Sequence, residues 1–164
     1  MNLIRTMLAS DWGQVSKIYK EGIDTGFATF ETKIPTYDNW DKVHLKNCRF
    51  VGIQKDQITG WAALSPVSSR NVYRGVAEVS VYIAKDFRGL GIGKALMKHL
   101  ILESEKEGIW TLQSGIFPSN SKSIKLHESL GFRHIGKRER VGKLHGVWID
   151  NVLYERRSKV VGLD

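Results

Sequence analysis

The sequence predicts a mixed α/β domain with one sheet covered by helices. Three observations predict it. Strand-like and helix-like segments follow one another roughly as β-α-α-β-β-β-α-β-α-β-β. The stretch Glu78–Glu107 runs from a β-branched and aromatic segment, Glu78 to Ile83, through three alternating glycines into an amphipathic segment, which is a strand–turn–helix unit. No repeat, low-complexity tract or long linker interrupts the chain, so its 164 residues read as one domain, 1–164.

Leu3 to Met7 opens as a short strand. Ser10-Asp11 starts a helix with Ser10 in the capping position, and Trp12, Val15, Ile18, Tyr19 and Ile23 form its apolar stripe. Gly26 to Glu31 is a loop or short extended stretch carrying two aromatics, Phe27 and Phe30. Pro35-Thr36 opens a second helix, with Trp40, Val43 and His44 turned inward. Phe50–Gln54 and Ile58–Leu64 are strands joined by a connection of hairpin length, Lys55-Asp56-Gln57. A polar loop, Ser68 to Gly75, leads into the strand Val76 to Ile83. The helix after it runs from Gly91 to Glu107 and stops at Gly108. Thr111 to Phe117 is a strand, Asn120 opens a fourth helix that Gly131 closes, and Phe132–Val141 and Val147–Glu155 are strands around a Gly142–Gly146 turn.

Bulk properties narrow the function classes. Hydrophobic content of 41% and charged content of 26% are those of an ordinary globular protein. No apolar run approaches the roughly 20 residues of a membrane helix, and the N-terminus lacks signal-peptide character. The single cysteine, Cys48, excludes an internal disulfide and reads as a partly buried free thiol, so a cytoplasmic location is expected. The net charge of +8 suits a polyanionic partner: nucleic acid, an acidic membrane or a phosphate-bearing cofactor. The basic runs Lys137–Arg140 and Glu155–Arg157 read as solvated sheet faces.

The glycine turn is the most informative feature. A strand ending in glycines before a helix exposes backbone N–H groups where the helix dipole is positive, which makes an anion site. A Walker-type loop does not fit, because Arg88 stands where its leading glycine belongs and Ala95 where its hydroxyl belongs. A dinucleotide fingerprint does not fit the Gly89-x-Gly91-x-Gly93 spacing in mid-chain. The pattern Arg/Gln-x-x-Gly-x-Gly/Ala does fit, through Arg88, Gly91 and Gly93.

That pattern resembles the pyrophosphate loop of the GNAT N-acetyltransferases. The stretch from Asn120 to Phe132 is similar to the family's second cofactor segment, and the likeness spans essentially the whole chain. Gly26–Glu31, Arg70–Tyr73, Ala77–Ile83 and Leu126-His127-Glu128 together resemble the branch acting on phosphinothricin and on methionine sulfone or sulfoximine. The resemblance implies a mixed, mostly antiparallel sheet with about four helices and a splayed strand pair that admits the cofactor.

It also implies a chemistry: transfer of an acetyl group from acetyl-CoA to the α-amine of a small amino acid or analogue, with no metal. Arg88, Gly89, Leu90, Gly91, Ile92, Gly93 and Lys94 would hold the pyrophosphate. The backbone of Val81, Tyr82 and Ile83 would pair with the pantetheine arm and polarise the thioester carbonyl. Asn120 and Ser123 would add side-chain contacts, with helix capping as the alternative for Asn120. Glu78 would be the base, acting directly or through one water, unless it is a strand-edge acid paired with an arginine. His127 would protonate the thiolate, in the place where the wider family commonly has a tyrosine. Arg70 and Arg74 would clamp a substrate carboxylate, and Phe27, Thr29 and Tyr73 would line the pocket.

Two other readings stand beside this one. Acetylation of protein N-termini or other amines would need an open groove rather than a closed pocket near Glu78. A basic nucleic-acid-binding module, or a degenerate cofactor sensor, would use the charge differently. The tryptophans and tyrosines mostly fall at helix- or strand-face spacing, which reads as core, and no nucleic-acid motif is present. The resemblance implies a small-molecule amine and, since members of the family are commonly dimers, a second copy of the chain as partners, with neither nucleic acid nor membrane.

Overall fold

The computed structural model describes residues 3–164. Among them, seven strands form one sheet: β1 (Leu3–Thr6), β2 (Arg49–Gln54), β3 (Gln57–Pro66), β4 (Val76–Ile83), β5 (Thr111–Ile116), β6 (Arg133–Leu144) and β7 (Val147–Arg157). Four α-helices accompany them: α1 (Trp12–Asp24), α2 (Tyr37–Val43), α3 (Ile92–Lys106) and α4 (Ser121–Glu128). The strand order is β1-β2-β3-β4-β5-β7-β6, antiparallel except between β4 and β5. The mixed, mostly antiparallel sheet agrees with expectation.

Side-chain alternation along the strands divides the core in two. On one face, Ala62 and Leu64 of β3, Val79 of β4, and Leu112 and Ile116 of β5 pack against Ile92, Leu96, Met97, Leu100 and Ile101 of α3, with Ile124 and Leu126 of α4 beside them. On the other, Trp61 and Ala63 of β3 meet Val15, Ile18 and Tyr19 of α1 and Trp40 of α2. β3 is covered on both faces, hence its unbroken apolar run.

The joint between β4 and β5 positions everything functional. Their parallel pairing covers only Val76–Thr111, Ala77–Leu112 and Glu78–Gln113. β4 then continues with β3 as far as Ile83–Gly60, while β5 continues with β7 as far as Ile116–Val152. The two strands part after Glu78 and a wedge opens between them, as the expected splayed pair requires.

Several local expectations are corrected. Ser10 caps nothing: it lies in a 3-10 turn, Ala9–Asp11, where the Asp11 carboxylate takes the Leu8 N–H at 2.7 Å and the Arg5 guanidinium at 2.7 and 2.8 Å. Val43 ends α2 and is exposed rather than inward, because only one turn of the helix, at Trp40, meets the core. Cys48 is fully buried, and burial pushes its thiol up to about 12, so it is inert. The β2–β3 turn is Lys55-Asp56, both with positive φ, and Gln57 already pairs with Gln54. β6 runs on to Leu144, past a bulge between Arg138 and Gly142, so the hairpin turn is His145-Gly146.

Arg49 fastens the end of α2 to the sheet. Its buried guanidinium donates to the carbonyls of Asp41 (2.9 Å), His44 (2.7 Å) and Leu45 (2.6 Å) and to the Asp41 carboxylate (2.5 Å), beneath the Trp40 ring. Replacing it leaves those carbonyls without a donor, so Arg49→Met is expected to cost on the order of 3 kcal/mol in urea unfolding. Hydrogen bonds from Lys46 and Arg49 hold the Asp41 carboxyl at about 2, against an ordinary 3.8. A depressed carboxyl stabilises the fold above its unfolded value, and that contribution disappears as the pH falls towards the folded one. Between pH 4 and 2, Asp41→Asn is therefore expected to lose less stability than the wild type; equal losses would show that the pair contributes nothing.

Candidate active site

The wedge opens into a cleft of about 1310 Å³ that runs from the glycine turn, past the free edge of β4, to the 27–31 loop and α2. Each wall follows from local sequence. At the turn, Gly89 and Gly91 have φ of +79° and +78°, a left-handed conformation that side chains resist. Gly91 is the N-cap of α3 and supplies no side-chain cap. The first helical N–H to find an acceptor is that of Ala95, on the Gly91 carbonyl, so those of Ile92, Gly93 and Lys94 have no helical partner. Gly93 is helical and lies between Ile83 and Leu126. Arg88 and Lys94 stand in this turn, and Lys122 and Lys125 of α4 also line the cleft. Arg88 also donates to the Ile83 carbonyl at 3.1 Å and stands 3.9 Å from Glu21.

The long wall is β4 from Val79 to Ile83. On the β5 side it has no strand partner beyond Glu78 among the described residues, so its backbone N–H and C=O groups face the wedge unpaired. Val79, Val81 and Ile83 turn towards α3 and α4, and Tyr82 turns towards α1. Gly22 of α1 makes this possible, since a Cβ there would lie 2.5 Å from the Tyr82 ring. Tyr82 stacks on Trp61 and packs on Tyr19, with centroids 4.9 Å away in both cases. Burial, and then the Tyr19 phenol, push the Tyr82 hydroxyl upward, so it stays protonated.

α4 closes the cleft from the other side. Asn120 caps it, its Oδ1 accepting the Ser123 N–H at 3.2 Å. One turn on, His127 is 1% exposed yet borders the cleft. Its Nδ1 lies 2.8 Å from the Ser123 carbonyl, which only accepts, so the proton sits on Nδ1 and Nε2 carries the lone pair. That Nε2 is buried and without a hydrogen-bond partner among the described residues. Burial lowers the His127 pKa.

Glu78 sits at the mouth of the wedge. Its recorded partner is not an arginine but Gln113, whose Nε2 donates to Oε2 at 3.3 Å. By alternation Glu78, Ser80 and Tyr82 share the sheet face covered by α1 and the 27–31 loop. In that loop Phe30 packs edge-on against Phe117, 4.6 Å between centroids, and lies over Gly142, where a Cβ would meet it at 2.7 Å.

Most of the expected residues therefore meet in one cleft: Glu78, Val81, Tyr82, Ile83, Arg88, Gly89, Gly91, Ile92, Gly93, Lys94, Asn120, Ser123, His127, Phe27 and Thr29 all line it. Four do not. Leu90 points to solvent at 63% exposure. Arg70, Tyr73 and Arg74 lie on a 3-10 turn away from it, with Arg70 over the Tyr73 ring and Arg74 over the Trp110 ring. The sequence reading missed Ser80, Ser114, Phe30, Phe117, Lys122, Lys125 and Asn151, and also Arg138, which it left within a solvated sheet face. The Arg138–Gly142 bulge is invisible in composition; only the glycine at 142 hints at it. The described residues hold no cluster of three or more histidine, cysteine, aspartate or glutamate side chains able to bind a metal. Among the described residues no helix is long and apolar enough to cross a membrane.

Comparison with known proteins agrees with this geometry. Residues 15–132 match the Acetyltransferase (GNAT) family. The chain is 30% identical to the phosphinothricin N-acetyltransferase of Streptomyces viridochromogenes, over 93% of this chain and 86% of that one. It is 29% identical to the L-methionine sulfoximine/L-methionine sulfone acetyltransferase of Salmonella typhimurium, over 90% and 89%. A crystal structure of the GNAT phosphinothricin acetyltransferase of Sinorhizobium meliloti in complex with acetyl-CoA superposes with a TM-score of 0.85 at 27% identity, covering 99% of this chain and 96% of that one. With a left-handed glycine turn, a splayed strand pair and a match over most of its length, the chain belongs to the GNAT acetyltransferase family.

Proposed function

We propose that this protein acetylates the α-amine of a small amino acid or analogue, of the phosphinothricin or methionine sulfone and sulfoximine type, with acetyl-CoA as donor. One observation carries the reading: a single cleft joins an uncapped, cation-lined glycine turn at one end to a carboxylate, Glu78, and aromatic walls at the other. When bound, acetyl-CoA would supply an activated acetyl thioester. The residues present fit it. Arg88, Lys94, Lys122 and Lys125 and the free N–H groups of α3 suit a pyrophosphate. The unpaired β4 edge suits an arm containing amides.

Within this reading Glu78 removes the ammonium proton, directly or through one water, so that the amine attacks in its neutral form. A backbone N–H of Tyr82 or Ile83 polarises the thioester carbonyl. His127 Nε2, which carries the lone pair once Nδ1–H is committed to Ser123, takes up through solvent the proton that the amine nitrogen sheds as the amide forms and passes it to the departing thiolate, which leaves the ring neutral again. Asn120 and Ser123 hold α4 in register, and Phe27 and Thr29 border the acceptor end. The whole of 1–164 works as one catalytic domain, in the cytoplasm and as a homodimer.

The reading is tested by coenzyme A release over a panel of amines: methionine sulfone, methionine sulfoximine, phosphinothricin, ordinary amino acids and a peptide with a free N-terminus. Turnover of the small amino acids supports it; turnover of the peptide alone would replace it with protein N-terminal acetylation. Glu78→Gln is expected to lower kcat by about 10²-fold and leave acetyl-CoA affinity intact; an unaltered pH–rate profile would remove Glu78 from the role of base. Gly91→Val forces a β-branched side chain into φ +78° and is expected to cost about 1–2 kcal/mol of stability. It should also abolish the rise in melting temperature that acetyl-CoA gives the wild type, and retained binding would make the loop a plain turn. For His127, nitrogen NMR is expected to show the Nδ1–H tautomer with a titration midpoint below 6.5. A midpoint above it would mean that burial does not govern the ring.

A further inference from the structure

An amino-acid acceptor carries a carboxylate beside its amine, and the cleft places one guanidinium at the acceptor end. We propose that Arg138, oriented by Asn151, receives that carboxylate and makes the enzyme select α-amino acids over simple amines. The inference rests on the function proposed above and assigns a specificity-determining residue within it.

The argument begins with parity along three strands. On β5, Leu112 and Ile116 face α3, so Gln113 and Gly115 face the other way, as the Gln113–Glu78 hydrogen bond requires. On β7, Val152 and Tyr154 face α3, so Asn151 lies on the Glu78 face. Arg138 is the cross-strand partner of Asn151. Glu78, Gln113, Gly115, Asn151 and Arg138 therefore occupy one face. Gly115 lies roughly 7 Å along β5 from the residue that holds Glu78.

Chemistry orients the pair. The Arg138 guanidinium only donates, and it donates to Asn151 Oδ1 at 2.9 Å. The Asn151 amide must then turn its NH2 the opposite way, towards Gly115, where a Cβ would lie 2.5 Å from Nδ2 and 3.2 Å from an Arg138 nitrogen. The absence of a side chain at Gly115 thus lets the Asn151 amide and the Arg138 guanidinium lie close against β5, at the wall of the cleft. Asn151 is 6% exposed, which fixes its rotamer, and Arg138 has no carboxylate partner among the described residues. The neighbouring cations are engaged: Lys137 pairs with Glu139 and Asp150, and Arg140 lies over Trp148. Alternation turns Lys137 to the other face, and the bulge after Arg138 separates it from Arg140, whose N–H is held by Asp150 at 2.8 Å. A guanidinium with spare donors and an amide NH2 beside it form a planar donor set, which matches a carboxylate. Phe30 and Phe117 border the same end and leave an apolar wall for the side chain.

The test compares L-methionine sulfone with its primary carboxamide as acceptors for the wild type and Arg138→Met. The wild type should prefer the acid. In Arg138→Met the KM for the acid should rise by about tenfold or more, while the KM for the amide and the acetyl-CoA affinity stay unchanged. Asn151→Asp, which offers Arg138 an internal carboxylate, should weaken acid binding in the same way with the fold intact. A preference for the acid that survives in Arg138→Met would place the carboxylate elsewhere and overturn the inference alone. Failure of the wild type to turn over either compound would overturn the amino-acid reading, and this inference with it.

Discussion

Three pairs of residues hold β4 to β5, and the fourth is missing. That short junction, closing at Glu78–Gln113, is the constraint on which the site depends. β3 carries β4 in one direction and β7 carries β5 in the other, so each strand is satisfied on one side and neither can follow its neighbour. The result is a sheet with an internal edge. An edge inside a protein leaves backbone groups that cannot all remain unpaired at low cost. The β4 edge therefore calls for a ligand that behaves like a strand, and the turn that follows it calls for an anion. A phosphorylated, amide-bearing molecule meets both demands at once.

The same divergence explains how one cleft handles two substrates. The faces of β4 differ: Val79, Val81 and Ile83 are packed down by α3 and α4, whereas Glu78, Ser80 and Tyr82 face the acceptor side. Tyr82 is held there by Trp61, Tyr19 and the missing side chain of Gly22. On the proposed function the donor would approach along the strand edge and the acceptor from the face. Glu78, at the corner where edge and face meet, is the carboxylate on β4 that addresses both. Alternation with a period of two separates the roles without any loop having to do so.

Much of this was legible from sequence, for identifiable reasons. The element order came from periodicity, and the anion turn from Gly89 and Gly91, whose left-handed φ is what glycine there signals. Asn120 followed by Ser123 marked a capped helix, and the structure forms that hydrogen bond. What failed to show depended on neighbours distant in sequence. Arg70 and Arg74 looked like clamps because their loop leads into β4, but Tyr73 and Trp110 offer them rings outside the cleft. Val43 has the spacing of a core residue, yet α2 is too short to bury a second turn. Arg138 sits in a run of charges that reads as solvated surface. Only the register with Asn151, fixed by a bulge that no propensity announces, turns it over the wedge.

The charge of the molecule takes on meaning once the cleft is drawn. A net +8 admits nucleic acid, membrane or cofactor with equal ease. Five cations line the cleft, Arg88, Lys94, Lys122, Lys125 and Arg138, against two carboxylates, Glu31 and Glu78. They are not spread evenly. Arg88 and Lys94 belong to the glycine turn, where α3 also points its positive end, Lys122 and Lys125 come from α4, and Arg138 stands beside Asn151. A polymeric phosphate chain would be met best by a continuous track of charge. A donor with its phosphates at one end, and a zwitterionic acceptor with a single carboxylate at the other, match a cluster and an isolated cation separated by a neutral strand edge. On the proposed function, such a distribution would let the positive field serve two different molecules, with Glu78 placed where the amine would lose its proton.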